Sequence, residues 1–352
     1  MHIPTFPVLK NTIYLNTAYV GPMSSELYEF RRKHEEDYVQ KGSDYRVEAS
    51  TTLEKTHQKI SHFFGVSEHH CFAVSNFSAG IRFALSALPK SFKILHINQD
   101  YPSLLNGIKE QGFTTKGVPL NAFVEQSIDK ELEQNHFDVL ALSLVQYTNG
   151  LLIDFEFLKN IKERYPHLLI IGDGTQFLGA HPFRFDSSPF DVLVCSGYKW
   201  LLAGFGNGVL MFSDAYLDAA KSDVTAFKET IFAGHFNILS IASLLFAIEQ
   251  LELLDFNALM MQKKRISNRV AETLTAEGFL PQWVTQRTQH SSIFSFKGDS
   301  FLFQHLMDAQ VKCAQRGDGV RVSFHFYNTE EDLQILVAAL KKFYSTTRQP
   351  SL

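Results

Sequence analysis

Four short stretches stand out along the chain because their apolar residues run almost unbroken: Lys93–Ile97, Asp138–Val145, Leu168–Ile171 and Asp191–Cys195. Continuous apolarity over so few residues predicts strands buried on both faces, whereas a strand with one wet face alternates. Between them lie segments with apolar residues at helical spacing, such as Phe157–Tyr165. Strands alternating with helices predict right-handed crossovers and a mostly parallel sheet covered by helices, with ligands gathering at the carboxyl ends of the strands. Gly208–Phe212 follows Cys195 too closely for a helical crossover, so one antiparallel strand is expected in that sheet.

Ahead of this region, Ser50 predicts the start of a helix with Leu53, Ile60 and Phe64 on its apolar face and Gly65 as its stop. After it, helices near Leu239–Leu254 and Leu259–Glu277 lead to strands at Ile293–Phe296 and Val320–Phe326, then to a last helix that Thr329 caps. No repeat, low-complexity tract or linker divides the chain. The expected organisation is a large α/β domain over residues 40–250 and a smaller α+β domain made of residues 1–39 together with 251–352.

Composition narrows the function classes. The chain has 352 residues, 45% apolar and 20% charged, with a formal net charge of −4, as an ordinary globular protein has. Its Lys and Arg are scattered, so neither nucleic acid nor a membrane surface is an expected partner. Cys71, Cys195 and Cys313 are far apart and odd in number, which suits neither a disulfide framework nor a paired-thiolate zinc site. The N-terminus M-H-I-P-T-F-P lacks a basic run followed by an apolar stretch, and Ile238–Ile248, the longest mainly apolar run, is too short to span a bilayer. A soluble cytoplasmic protein is expected.

Three strand ends carry candidate chemistry. In S-N-F-S-A-G-I, Ser75–Ile81, a strand ends and a helix begins. The free N–H groups there, around Ser78 and Ala79, and the Ser78 hydroxyl suit a phosphate, against the plainer reading of a Ser-capped helix. In I-I-G-D-G-T-Q, Asp173 leaves a buried strand and needs a partner. A pyridinium N–H is one; a helix start or a metal are others. In V-L-V-C-S-G-Y-K-W, Lys199 sits between aromatics, where desolvation would lower its pKa and free its amine to attack a carbonyl, unless it snorkels to the surface. An acid, a lysine and a phosphate cradle on neighbouring strand ends favour chemistry over the separate plain readings.

D-G-T-Q followed by a strand and S-G-Y-K-W resembles the class-V aminotransferases, a fold-type-I group that uses pyridoxal 5′-phosphate (PLP) and includes cysteine desulfurases, selenocysteine lyases and isopenicillin-N-epimerase-like proteins. The likeness extends from Y-L-N-T-A-Y-V-G-P to R-V-S-F-H-F-Y-N-T-E-E-D, nearly the whole chain. It implies a mostly parallel, seven-stranded-type sheet, with Lys199 as Schiff-base lysine and general base and Asp173 as partner of the ring nitrogen. Gln176 would bond the ring phenolate oxygen, and Ser196 and Ser78 would hold the phosphate. Tyr101 falls where the family stacks an aromatic or His on the ring, and Tyr147 where many members have Asn. Arg321 matches the arginine that clamps the substrate carboxylate, a task suited to its fork geometry. Asn16 is placed on the substrate side, with a turn role as the alternative. His235 stands in a loop, F-A-G-H-F-N, that in the family reaches a neighbour's phosphate, which implies a homodimer with shared sites.

The remaining motifs have simpler readings. G-F-G-N-G, Gly204–Gly208, precedes a strand and reads as a turn; His69 and His70 beside Glu68 lack further ligands, so no metal is expected. No dinucleotide fingerprint or Walker loop is present. The expected activity is therefore PLP chemistry on a small amino acid, aminotransferase or epimerase-like. A cysteine or selenocysteine lyase needing no thiol is the alternative, and a non-catalytic protein on the same fold the rival. A cysteine desulfurase is not expected, since Cys71 and Cys195 read as core residues and the segment around Cys313 lacks the family's His-rich cysteine motif.

Overall fold

In the computed structural model, which describes residues 4–232 and 235–346, seven strands form one sheet. They are β1 (Cys71–Val74), β2 (Lys93–Ile97), β3 (Thr114–Val118), β4 (Val139–Ser143), β5 (Leu169–Asp173), β6 (Val192–Ser196) and β7 (Gly208–Phe212), in the order β1-β7-β6-β5-β4-β2-β3. All neighbours are parallel except those of β7, which runs antiparallel to both β6 and β1. Every residue of β4, β5, β6 and β7 is buried, which is why these segments read as continuous apolar runs. Alternate residues feed two cores: Leu140, Leu142, Ile170 and Leu193 lie on one face, and Val139, Ala141, Ile171 and Val194 on the other.

Departures from the sequence reading have local causes. β3, T-T-K-G-V, is an exposed edge strand whose polar residues give no hydrophobic signal. The helix expected from Ser50 begins at Ser43 and runs to Phe64; its first turns bury only Tyr45 and Ala49, too little apolar pattern to mark the start. Gly65 stops it in a left-handed conformation (φ 62°), as expected. The helix after β1, Phe77–Ser86, is capped by Asn76 rather than by a serine. The strand expected at Val320–Phe326 ends at Ser323, because His325 N–H turns to the Asn328 side chain.

A three-stranded antiparallel sheet is made by β8 (Ile293–Lys297), β9 (Ala314–Arg316) and β10 (Gly319–Ser323), with β10 in the middle. The chain start joins it: Ile13–Tyr14 pairs with Val311–Lys312, and Asn16 bridges Ser323. Thr329 and Asp332 form the reciprocal cap of the last helix, Glu330–Thr346. Among the described residues no helix is long and apolar enough to cross a membrane.

Candidate active site

Strand register sets the site. Ser143 at the end of β4 lies opposite Asp173 at the end of β5, and Ser196 at the end of β6 lies opposite Gly208. The turn leaving β6, Gly197–Lys199, therefore rises beside Asp173 at the carboxyl edge of the sheet, where a doubly wound fold collects its ligands.

Lys199 is only 7% exposed. Its Nζ lies 5.8 Å from the centroid of the Tyr101 ring and 5.6 Å from that of Tyr198. Burial lowers the ammonium pKa, Asp173 opposes the shift, and Arg321 and Arg316 reinforce it. An amine so placed is more readily neutral and nucleophilic than a surface lysine. The chain start buttresses this turn: Gly21 N–H donates to Tyr198 O (2.9 Å), and a Cβ on Gly21 would stand 2.1 Å from Lys199 O. Only glycine lets A-Y-V-G-P close over the lysine turn.

Asp173 is buried, and burial raises its carboxyl pKa; Thr175 hydrogen bonds and the charge of Lys199 hold it back. Thr175 N–H donates to Oδ1 (2.8 Å), while the Thr175 hydroxyl accepts from Ser196 N–H (3.3 Å), tying the ends of β5 and β6 together. A second buried acid, Asp100, organises the loop bearing Tyr101. It accepts from Tyr101 N–H (2.6 Å), Ser143 N–H (2.9 Å), the Ser143 hydroxyl and Gln146 Nε2 (3.3 Å). The Tyr101 ring stands 5.4 Å from that of Tyr147, edge to face, and over the Lys199 amine. Sequence reasoning missed Thr175 and Asp100, although the argument used for Asp173, a carboxylate leaving a buried strand, applies equally to Asp100 in Q-D-Y-P.

At the other side, Ser196 Oγ accepts from Phe77 N–H (2.9 Å) and Ser78 Oγ accepts from Ser103 Oγ (2.6 Å). Each hydroxyl keeps its own proton to donate. Ala79, expected to offer a free amide, does not: its N–H is bonded to Asn76 Oδ1 (2.9 Å), because the asparagine caps the helix. Gln176 is also more committed than expected. Its Oε1 accepts from Trp200 Nε1 (2.7 Å) and its Nε2 donates to Ala18 O (2.9 Å), leaving one amide hydrogen for another partner. The Trp200 ring is held from behind by buried Lys263, 5.3 Å from its centroid, and by His325.

Arg321, on β10, is 2% exposed, and its charge acts on both Tyr198 and Lys199 in the turn leaving β6. One amino group donates to Tyr147 O; the other, Nη2, is buried without a partner among the described residues. Burial and nearby Arg316 push the guanidinium down to about 9, so it remains charged at neutral pH. A buried cation with an unused donor is costly unless an anion arrives. Asn16 lies one strand away; its Nδ2 donates to Cys313 O (3.1 Å) and its Oδ1 is likewise buried and unpartnered. His235 is exposed on the connection to the helix Ile238–Leu253. Among the described residues no hydrogen bond or ion pair joins it to the other candidates, and Ala233 and Gly234 of its motif lie outside those residues.

The side chains brought together fit PLP. A buried amine and a buried carboxyl act on each other at the carboxyl edge of the sheet, the carboxyl held high by burial until a cation such as a pyridinium N–H pairs with it. An aromatic ring lies over the amine, and two serine hydroxyls lie at the start of the Phe77–Ser86 helix. Fold and site together define a PLP enzyme of fold type I. The class-V aminotransferase profile matches residues 22–336, and the chain belongs to that family. No curated protein sequence matches it.

Among solved structures, a variant of C-DES with glycine covalently linked to its PLP cofactor superimposes with a TM-score of 0.85, at 16% identity over 96% of this chain and 98% of that one. The cystine C–S lyase C-DES with its product cysteine persulfide gives 0.83, at 17% identity over 96% and 99%. The apo cysteine desulfurase from Thermococcus onnurineus NA1 gives 0.84, at 16% identity over 98% and 99%. At such identity the likeness shows the fold.

Proposed function

We propose that the protein is a PLP-dependent lyase that eliminates a sulfur leaving group from a small sulfur-containing amino acid without using a cysteine of its own. The observation that carries this reading is the state of the three cysteines. Cys71, Cys195 and Cys313 are all buried, and burial pushes each thiol up to about 12. A desulfurase of the thiol type needs an accessible thiolate to take sulfur from the substrate. This chain offers none, so the sulfur must leave with the substrate's own fragment. The likeness to a cystine C–S lyase supports elimination ahead of the transaminase or epimerase reading that the sequence alone favours.

Bound PLP supplies the electron sink for the carbanion at the substrate α-carbon. In this reading Lys199 holds the cofactor and then moves the α-proton, and Asp173 keeps the ring nitrogen protonated. Tyr101 covers one ring face, Ser78 and Ser196 donate to the phosphate, and Gln176 turns its remaining N–H to the ring. Arg321 receives the substrate carboxylate, with Asn16 and Tyr147 beside it. The reading extends to a cytoplasmic homodimer in which His235 reaches a neighbour's phosphate.

Incubation of the PLP-loaded protein with L-cystine should yield pyruvate and ammonia in equal amounts, together with a persulfide of cysteine. Cys71→Ser, Cys195→Ser and Cys313→Ser should each retain that activity. Alanine formed from L-cysteine, and lost in Cys313→Ser, would overturn the proposal; so would product formation only when a keto acid is present as amino acceptor.

A further inference from the structure

We infer that the substrate carries a second acidic group at the far end of its side chain and that Arg316 receives it; this rests on the reading that Arg321 holds the α-carboxylate. The β9–β10 hairpin pairs Ala314 with Arg321 and Arg316 with Gly319. Directly opposed residues in an antiparallel pair share a face, as do residues two apart on one strand. Arg316 and Arg321 therefore project from the same face as diagonal neighbours, roughly 7–8 Å apart at the backbone, with the small residues Ala314 and Gly319 at the other two corners. The opposite face of β10, Val320 and Val322, is core.

Arg316 is built for an anion that the chain does not supply. Its guanidinium lies 4.8 Å from the Tyr19 ring centroid, and one Nη1 hydrogen goes to Gln315 O. No carboxylate of the described residues is within ion-pair distance of it. Stacking on an aromatic face fixes the guanidinium plane and leaves its edge donors free, the arrangement that grips carboxylates in two-point fashion. Tyr19 belongs to the segment that bridges β10 at Asn16 and closes on Lys199 at Gly21, so this platform stands at the rim of the site. The Arg316 charge reaches Lys199, Arg321 and Tyr101.

A substrate with one carboxylate satisfies Arg321 and leaves Arg316 repelling both Arg321 and Lys199; a second carboxylate offsets that repulsion. The class that fits is an α-amino acid ending in another acidic group. For a C–S lyase this means an amino acid joined through a disulfide or thioether to a second carboxylate-bearing fragment.

Calorimetry of the PLP-loaded protein with non-reacting glutarate and butyrate tests the charge requirement apart from the reaction. Wild type should bind glutarate about tenfold or more tightly than butyrate, as one added charge-assisted contact gives. Arg316→Gln should bring the two affinities together, and Arg316→Lys should keep part of the preference. With a reacting diacid, Arg316→Gln should raise KM far more than it lowers kcat. Equal binding of the two acids by wild type, or an equal loss for both in the variants, overturns the inference. A glutarate preference lost in Arg316→Gln sustains it even if cystine is not cleaved, in which case the C–S lyase reading alone falls.

Discussion

Replacing Lys199 with Ala is expected to lower turnover by at least about a thousandfold, because one side chain supplies both the covalent anchor and the base. The fold should survive. Burial disfavours the charged form of Lys199, and the Asp173 carboxyl that its charge holds down can take up a proton once it is gone, so no ionised partner is left stranded. The melting temperature of the cofactor-free variant should be no lower than that of wild type. Product formation in the amino-acid assay, measured beside that melting curve, separates a chemical role from a structural one. A variant that kept more than a tenth of wild-type turnover would show that another group moves the proton.

Asp173→Asn should cost about a hundredfold or more in turnover while some cofactor stays bound, the scale found when one preorganised charge is removed from a site. Asn keeps the shape and an oxygen that can accept the Thr175 N–H, but it cannot hold a ring nitrogen protonated. The same substitution has a signature without cofactor. Burial raises the folded-state pKa of Asp173 above its unfolded value, so the folded protein binds an extra proton between the two values. Stability is full below the ordinary carboxylate range and falls as pH rises through the raised one. The Asn variant should lose that part of the fall. Denaturant melts of both proteins across this range check it, and an unchanged pH slope would mean that Asp173 does not titrate there.

Much of this site was legible because burial on both faces leaves an unmistakable mark. The runs that became β4, β5 and β6 are apolar at every position but their polar ends, and Asp173 and Ser196 are those ends. The short link to β7 fixed its direction in advance. What stayed hidden depends on contacts between distant parts of the chain. Gln176 stands in a telling motif, yet its amide is mostly taken by Ala18 and Trp200, one of them more than 150 residues away. Ser78 sits where a cap could be, but Asn76 closes the helix and takes the Ala79 amide. Arg316 gave no sequence signal, since its meaning comes from hairpin register with Arg321 and from the Tyr19 ring. β3 was invisible because an exposed edge strand needs no apolar residues.

PLP held covalently on Lys199 should leave a chemical record on that residue. Borohydride reduction of the purified protein, followed by proteolysis and mass mapping of the pyridoxyl group, tests it most directly. A single modified peptide containing S-G-Y-K-W is expected, with the added mass on Lys199 and no modified peptide from Lys199→Ala. A pyridoxyl group on Lys263 or any other lysine, persisting in Lys199→Ala, would contradict it.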